Sequence, residues 1–95
     1  MPVPHLTLDL RGLTTKADLH MFFKRELAFE DWYGVSWDAF WDSIVAIADM
    51  PIILTLQHWQ DFAAACPRDM EILRQVVADY NDYVPGKRIE LDPPA

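Results

Sequence analysis

Segments in which apolar residues follow the spacing of a strand alternate along the chain with segments in which they follow the spacing of a helix. Within residues 5–10 every second position is leucine, and Arg11-Gly12 follows, which predicts a short strand ending in a turn. An apolar, β-branched run over residues 52–56 predicts a second strand, buried on both faces of a parallel sheet. Residues 87–91 alternate again and predict a third strand.

Between these strands, apolar residues recur every three or four positions, the spacing of amphipathic helices. The first helix is predicted to begin at a cap on Thr14 or Thr15 and to reach about Ala28. A second helix is predicted to begin after Ser36, a good N-cap residue, and to end near Asp49.

The remaining helical pattern falls into two parts. A short helix is predicted over residues 59–65, and a longer amphipathic one runs from Pro67 to the stop signal Pro85-Gly86. Because strands and helices alternate, we expect an α/β fold with a small three-stranded parallel sheet, three main helices and one short helix. The length predicts one domain over residues 1–95.

Charge is unevenly distributed. The net charge is −7, and the segment from Glu26 to Pro67 holds seven acids and no Lys or Arg, while the rest of the chain holds eight acids and eight bases. An acidic segment repels phosphate backbones and attracts cationic surfaces. We therefore expect no direct binding to nucleic acid and a positively charged protein partner.

The sequence also indicates a compartment. Cys66 is the single cysteine and cannot form an internal disulfide, and residues 1–5 lack the basic and apolar parts of a signal peptide. The longest apolar run, residues 44–48, is far shorter than the roughly 20 residues that cross a bilayer. We expect a cytoplasmic protein that does not contact a membrane.

Candidate binding residues are concentrated between residues 32 and 42. Asp38 and Asp42 lie one helical turn apart, with no Lys or Arg at neighbouring helix positions to pair with them. This predicts either a solvated polar face or an anionic surface open to cations. Trp32 and Tyr33, in the loop predicted over 29–35, fit either core packing or the aromatic anchors of a protein interface.

Three further residues of this segment have two readings each. Trp37 and Trp41 lie on the apolar stripe of the second helix, so core packing is expected to account fully for one of them. Gly34 serves either to permit a turn or to let a partner approach the backbone closely.

Patterns typical of catalysis or metal binding are absent from the sequence. His5, His20 and His58 are scattered without metal-ligand spacing, and no phosphate loop, dinucleotide fingerprint or nucleophile elbow occurs. We expect no metal, no cofactor and no small-molecule substrate. A hydrolase that uses Asp38 and Asp42 as acid and base is an alternative, and it would require a concave site.

Residues 32–42, Trp-Tyr-Gly-Val-Ser-Trp-Asp-Ala-Phe-Trp-Asp, resemble the signature of the barstar family. That signature has two aromatics, Gly, a polar pair, a large apolar residue, Asp-Ala, an apolar residue and Trp-Asp. Leu19-His20, the segment 24–28, the strand after Pro51 and the later helix follow in the family's order, so the resemblance covers most of the chain. It implies a noncatalytic inhibitor that forms a 1:1 complex with a basic, barnase-type ribonuclease and covers its active site.

The resemblance also implies roles for individual residues. Asp42 would take the place of the substrate phosphate in the catalytic pocket, Asp38 would pair with an arginine, and Tyr33 would pack on the catalytic surface. Gly34 would offer a backbone contact, and Asp79 would be the acid of the later helix that faces the partner. The full set implied to bind the ribonuclease is Trp32, Tyr33, Gly34, Ser36, Asp38, Trp41, Asp42 and Asp79.

Three positions of the motif depart from the family pattern. Ser36 stands where the family often has Asn, Trp37 where it has a smaller apolar residue, and Val35 where a charged residue is common. These departures bear on which target the chain fits. Two alternatives therefore stay open: an immunity protein against a nuclease toxin unrelated to barnase, and an interaction module of the same fold without a nuclease target.

Overall fold

A three-stranded parallel sheet organises the molecule, for which a computed structural model describes residues 4–94. The strands are β1 (His5–Asp9), β2 (Ile53–Gln57) and β3 (Arg88–Asp92), and β2 lies in the middle, parallel to both neighbours. The predicted sheet is thus confirmed, with β2 and β3 each displaced by one residue. Residues 1–3, part of the segment that was expected not to be a signal peptide, lie outside the described residues.

Two pairs of helices connect the strands. α1 (Lys16–Glu26) and α2 (Trp37–Asp42) lie between β1 and β2, and α3 (Gln60–Ala65) and α4 (Pro67–Tyr83) lie between β2 and β3. This confirms the predicted α/β alternation. None of these helices combines the length and apolar character that crossing a membrane requires, within the part of the chain that is described.

The second predicted helix differs from the expectation of a continuous helix to near Asp49. α2 ends at Asp42, and the chain continues as a π-helical segment over Ser43–Ile47. The Ala48 N–H donates to the Ser43 carbonyl at 2.7 Å, five residues back, so this turn holds one residue more than an α-helical turn. The side-chain pattern did not reveal this turn, because backbone hydrogen bonds define it.

Side-chain hydrogen bonds define the ends of α1 and α4. Thr15 is the N-cap of α1, and its hydroxyl accepts from the Asp18 N–H at 3.1 Å. Near the end of α4, the Asn81 amide donates to the Ile89 carbonyl and accepts from its N–H. The second pair ties α4 to β3 and fixes where the helix meets the sheet.

The sheet buries one face more completely than the other. Leu54 and Leu56 of β2 are buried, whereas Ile53, Thr55 and Gln57 keep partial exposure. The prediction that this strand is buried on both faces was therefore wrong for its second face, which the helices leave partly open to water. The core joins Leu8, Leu10, Leu19, Phe23, Phe40, Ile44, Phe62, Met70, Leu73, Tyr80 and Ile89 to these two leucines.

Candidate functional site

The loop before α2 begins at a left-handed residue that ends α1. Ala28 has φ 52°, and the Phe29 N–H donates to the Lys24 carbonyl at 2.9 Å, which turns the chain away from the helix axis. The Lys24 ammonium then donates to the Asp31 carbonyl at 3.2 Å, and the Tyr33 N–H donates to the Glu30 carbonyl. Backbone groups of the loop are thus held by α1 and by the loop itself.

Tyr33 lies in the protein interior, beneath this loop. Its side chain is 8% exposed, its ring lies 4.8 Å from that of Phe29, and its hydroxyl is hydrogen-bonded to Nδ1 of His20 on α1. The core reading of Tyr33 therefore applies to the free protein. Tyr33 also lines the cavity shared by Trp32 and Asp42, and its packing on a partner stays a prediction. Burial is the reason that the pKa of the Tyr33 hydroxyl is raised well above its usual value.

His20 is the buried polar group that holds Tyr33 in place. Its Nε2 has no hydrogen-bond partner in the described structure, and the Trp37 ring packs edge-on against the imidazole, with centroids 4.7 Å apart. Desolvation by burial, and secondarily the charge of Lys16, lower the pKa of His20 to about 4, while the charge of Asp69 opposes them. At neutral pH the imidazole is uncharged, so the loop rests on a neutral aromatic cluster.

Ser36 starts α2 and sets its direction. Its hydroxyl accepts from the Ala39 N–H at 3.0 Å, as an N-cap should, so this predicted contact residue already has a structural role. Trp37 turns inward, where its indole N–H donates to an Asp69 carboxylate oxygen at 3.0 Å. Trp37 and Trp41 are both half-buried, so core packing does not account fully for either of them.

Asp38 and Asp42 project from the solvent-facing side of α2. Both are exposed, and among residues 4–94 neither carboxylate takes part in an ion pair. Since residues four apart on a helix are neighbours, the two negative charges lie side by side in water. Asp38 lies in the first turn of the helix, where the backbone favours an anion and offsets part of the repulsion.

The loop meets the helix beside Asp42. A cavity of about 150 Å³ is lined by Trp32, Gly34 and Asp42, together with Ser43 and other residues beneath them. Trp32 is 74% exposed at this rim. We call the surface formed by Trp32, Gly34, Asp38 and Asp42 the acidic face. Of the eight residues predicted to bind a partner, these four thus share one surface, and Tyr33 lines the cavity beneath it.

The backbone conformation at Gly34 is not one that only glycine adopts. Its φ lies outside the left-handed region, and a Cβ added there would meet no atom within 4 Å. The structure therefore does not require glycine here for a turn, which was the first of its two readings. The space above its backbone is open to a partner.

Trp41 links the acidic face to α4. It follows Asp38 by three residues on α2, and its ring lies 5.9 Å from that of Tyr83. Asp79, one turn before Tyr83 on α4, is exposed and accepts a hydrogen bond from Gln75 at 2.9 Å. The predicted acid of the later helix therefore lies on the side of α4 that meets α2.

Tyr83 itself was not predicted from the sequence. It lies at the end of α4, beyond Tyr80, the last residue of the apolar stripe that the periodicity indicates, and it is 66% exposed. A large aromatic residue placed after the buried stripe, among acids, was the signal that could have revealed it.

The aspartate pair does not lie in a deep cleft. Two larger hollows, of about 420 and 490 Å³, lie where α4 meets β3 and contain neither Asp38 nor Asp42. Within residues 4–94, no group of three or more His, Cys, Asp or Glu side chains is placed to hold a metal ion. The acidic face offers exposed hydrogen-bond acceptors and an aromatic rim, which suit recognition of a cationic surface.

Comparison with known proteins relates this chain to a family and to a curated protein. A family model described as Barstar (barnase inhibitor) matches residues 3–92. A Bacillus subtilis (strain 168) protein named "Putative ribonuclease inhibitor YrdF" is 33% identical to this chain over 55 residues. That match covers 58% of this chain and 60% of the relative, so the chain spans less than two thirds of the relative's length.

Proposed function

Because the chain belongs to the barstar family, we propose that it is an inhibitor that binds a basic, barnase-type ribonuclease 1:1 and covers its active site. The observation that carries the proposal is that Asp38 and Asp42 on α2 are exposed and form no ion pair within residues 4–94, with Trp32 and Gly34 beside Asp42. The name of the Bacillus subtilis relative supports the same class of target. The cytoplasm is the proposed place of action, which the free thiol of Cys66 fits.

Charge complementarity is the first step of the proposed mechanism. A ribonuclease must bind phosphate and therefore carries cationic side chains at its active site, which the net charge of −7 on this chain attracts. Such attraction accelerates association and is weakened by salt, because the Debye length is about 8 Å at physiological ionic strength.

Burial of the aspartates is the second step. Asp42 takes the position of a substrate phosphate among the enzyme's Arg and His side chains, and Asp38 pairs with an arginine beside it. A carboxylate that loses its water must gain hydrogen-bonded cationic partners, since an unpaired buried charge costs several kcal/mol. Catalytic pockets of ribonucleases supply those partners, whereas other surfaces rarely do, and this selects the target.

The other residues of the face complete the contact. Trp32 covers the rim of the pocket, and the open backbone at Gly34 allows the enzyme surface to approach. Trp41 and Asp79 extend the contact toward α4. Ser36 and Tyr33 act from beneath, because the first caps α2 and the second holds the loop against His20.

The decisive experiment measures inhibition of barnase-type ribonucleases by the wild type, Asp42→Ala and Asp49→Ala at two ionic strengths. Asp49 is also exposed but lies after the π-helical segment, so its variant loses the same charge outside the acidic face. We expect stoichiometric inhibition by the wild type that associates more slowly in salt, and a loss of about 30-fold or more in affinity for Asp42→Ala alone.

Each result has a clear meaning for the proposal. Comparable losses for both variants would show that only net charge matters and would contradict the assigned site. Full ribonuclease activity in the presence of the folded wild type would overturn the inhibitor proposal for this class of enzyme.

A further inference from the structure

Two large apolar side chains are far more exposed than the others in the described structure. Trp32 is 74% exposed and Tyr83 is 66% exposed, whereas the next, Met21, is 49% exposed. Both are aromatic, and aromatic side chains that remain in water are typical of the anchor residues of protein interfaces.

The two aromatics lie on opposite borders of the aspartate pair. Trp32 lines the same cavity as Asp42, on the side of the loop. Tyr83 lies on the side of α4, where its ring contacts Trp41, three residues after Asp38. The acidic face therefore has an aromatic ring at each end.

The contact with Trp41 holds Tyr83 without burying it. The two rings meet at 51° with centroids 5.9 Å apart, and most of the Tyr83 side chain still faces solvent. A ring held in this way loses little conformational entropy when a partner covers it, because a tyrosine side chain has only two rotatable angles to fix.

We propose that Tyr83 is a second aromatic anchor of the interface and a specificity-determining residue, which packs against the ribonuclease on the α4 side while Trp32 does so on the loop side. This inference rests on the proposed function. The partner that fits is a basic protein surface, because Asp79 precedes Tyr83 by one helical turn and Asp82 precedes it directly. Enzymes without a surface to receive the Tyr83 ring bind this chain more weakly.

An anchor of this kind has a kinetic signature that a charged residue lacks. Tyr83 is uncharged, so its loss leaves electrostatic attraction intact and accelerates dissociation instead. We expect Tyr83→Ala to raise the dissociation rate of the complex by about tenfold or more, with the association rate and its salt dependence unchanged. Met21→Ala, on α1 and outside the acidic face, is the matched control and should dissociate like the wild type.

A second pair of variants tests the contact by repulsion. Tyr83→Lys keeps an aliphatic stem over Trp41 but presents a cation to a basic partner, and Met21→Lys adds the same charge elsewhere. We expect Tyr83→Lys to weaken binding far more than Met21→Lys. Urea unfolding of all four variants establishes that each is folded.

The outcomes separate this inference from the proposed function. If the wild type binds, Asp42→Ala weakens binding, and the two Tyr83 variants match their Met21 controls, the Tyr83 inference is overturned and the inhibitor proposal stands. If the wild type binds no basic ribonuclease, the inhibitor proposal is overturned, and the Tyr83 inference, which rests on it, is overturned as well. Faster dissociation of the Tyr83 variants alone supports the anchor.

Discussion

Gly34 lies in the loop that leads into α2, with φ outside the left-handed region and open space where a side chain would begin. An alanine fits there in the free protein, so Gly34→Ala should leave the free energy of unfolding unchanged or raise it by up to about 1 kcal/mol. In a complex the added methyl group would stand between two surfaces. We therefore expect weaker inhibition from a variant that is as stable as the wild type, measured by urea unfolding and ribonuclease titration.

Gly12→Ala provides the contrast for this prediction. Gly12 has φ 82°, a conformation that alanine adopts only with strain, so its variant should lose about 1 kcal/mol or more of stability while inhibition stays intact. Undiminished inhibition by Gly34→Ala would show that the loop backbone does not approach the enzyme closely.

Tyr33 shows why the sequence could not resolve the loop residue by residue. Trp32 and Tyr33 are adjacent aromatics in a segment without helical or strand period, so no pattern tells which ring turns inward. In the folded protein the Tyr33 hydroxyl is hydrogen-bonded to the buried imidazole of His20, thirteen residues earlier, while Trp32 faces solvent. Long-range contacts of this kind leave no local signal.

Among the elements, α1 is followed by a residue whose substitution should stabilise the protein. Ala28 has φ 52°, in the left-handed region, where glycine is the residue most often found after a helix. Ala28→Gly should raise the free energy of unfolding by about 0.5 to 1 kcal/mol, because relief of steric strain exceeds the entropy that glycine adds to the unfolded chain. Urea unfolding measures the change.

Ala78 supplies a control with the opposite sign. It is exposed within α4, where glycine lacks helical propensity, so Ala78→Gly should lower stability by about 1 kcal/mol. Loss of stability in both variants would mean that Ala28 is not strained.

The existence and order of the strands and helices could be predicted from the spacing of apolar residues, because each element has an apolar side. The strand limits moved by about one residue, within the usual uncertainty of element ends. The π-helical segment over Ser43–Ile47 did not follow, because it is defined by backbone hydrogen bonds such as that from the Ala48 N–H to the Ser43 carbonyl, and not by side-chain pattern. Aspartates 38 and 42 could be placed on one exposed face because helix geometry alone fixes their spacing.

For the molecule as a whole, His20 makes stability depend on pH. The unfolded chain binds a proton at this residue near pH 6.5, whereas the folded protein binds it only near pH 4. Between these values the unfolded state holds more protons, so stability rises with pH. Neutral His20 should contribute about 3 kcal/mol to the free energy of unfolding above about pH 6.5, and this contribution should be lost as the pH falls toward 4.

Urea unfolding of the wild type and His20→Gln between pH 4 and pH 7.5 tests this assignment. The variant should be less stable at pH 7.5 but should show a flatter dependence on pH over this range. His5→Gln, at an exposed position at the start of β1, should keep the slope of the wild type. An unchanged slope in His20→Gln would assign the pH dependence to other groups.

The contrast in exposure among the four tryptophans also gives the protein an optical property. Trp32 is 74% exposed, whereas Trp37, Trp41 and Trp59 are half-buried and pack against the core. An indole that moves from water into a dry contact emits at shorter wavelength. Covering of the acidic face should therefore shift the ultraviolet emission of this chain toward the blue, so that capture of a partner can be followed in real time without attaching a dye.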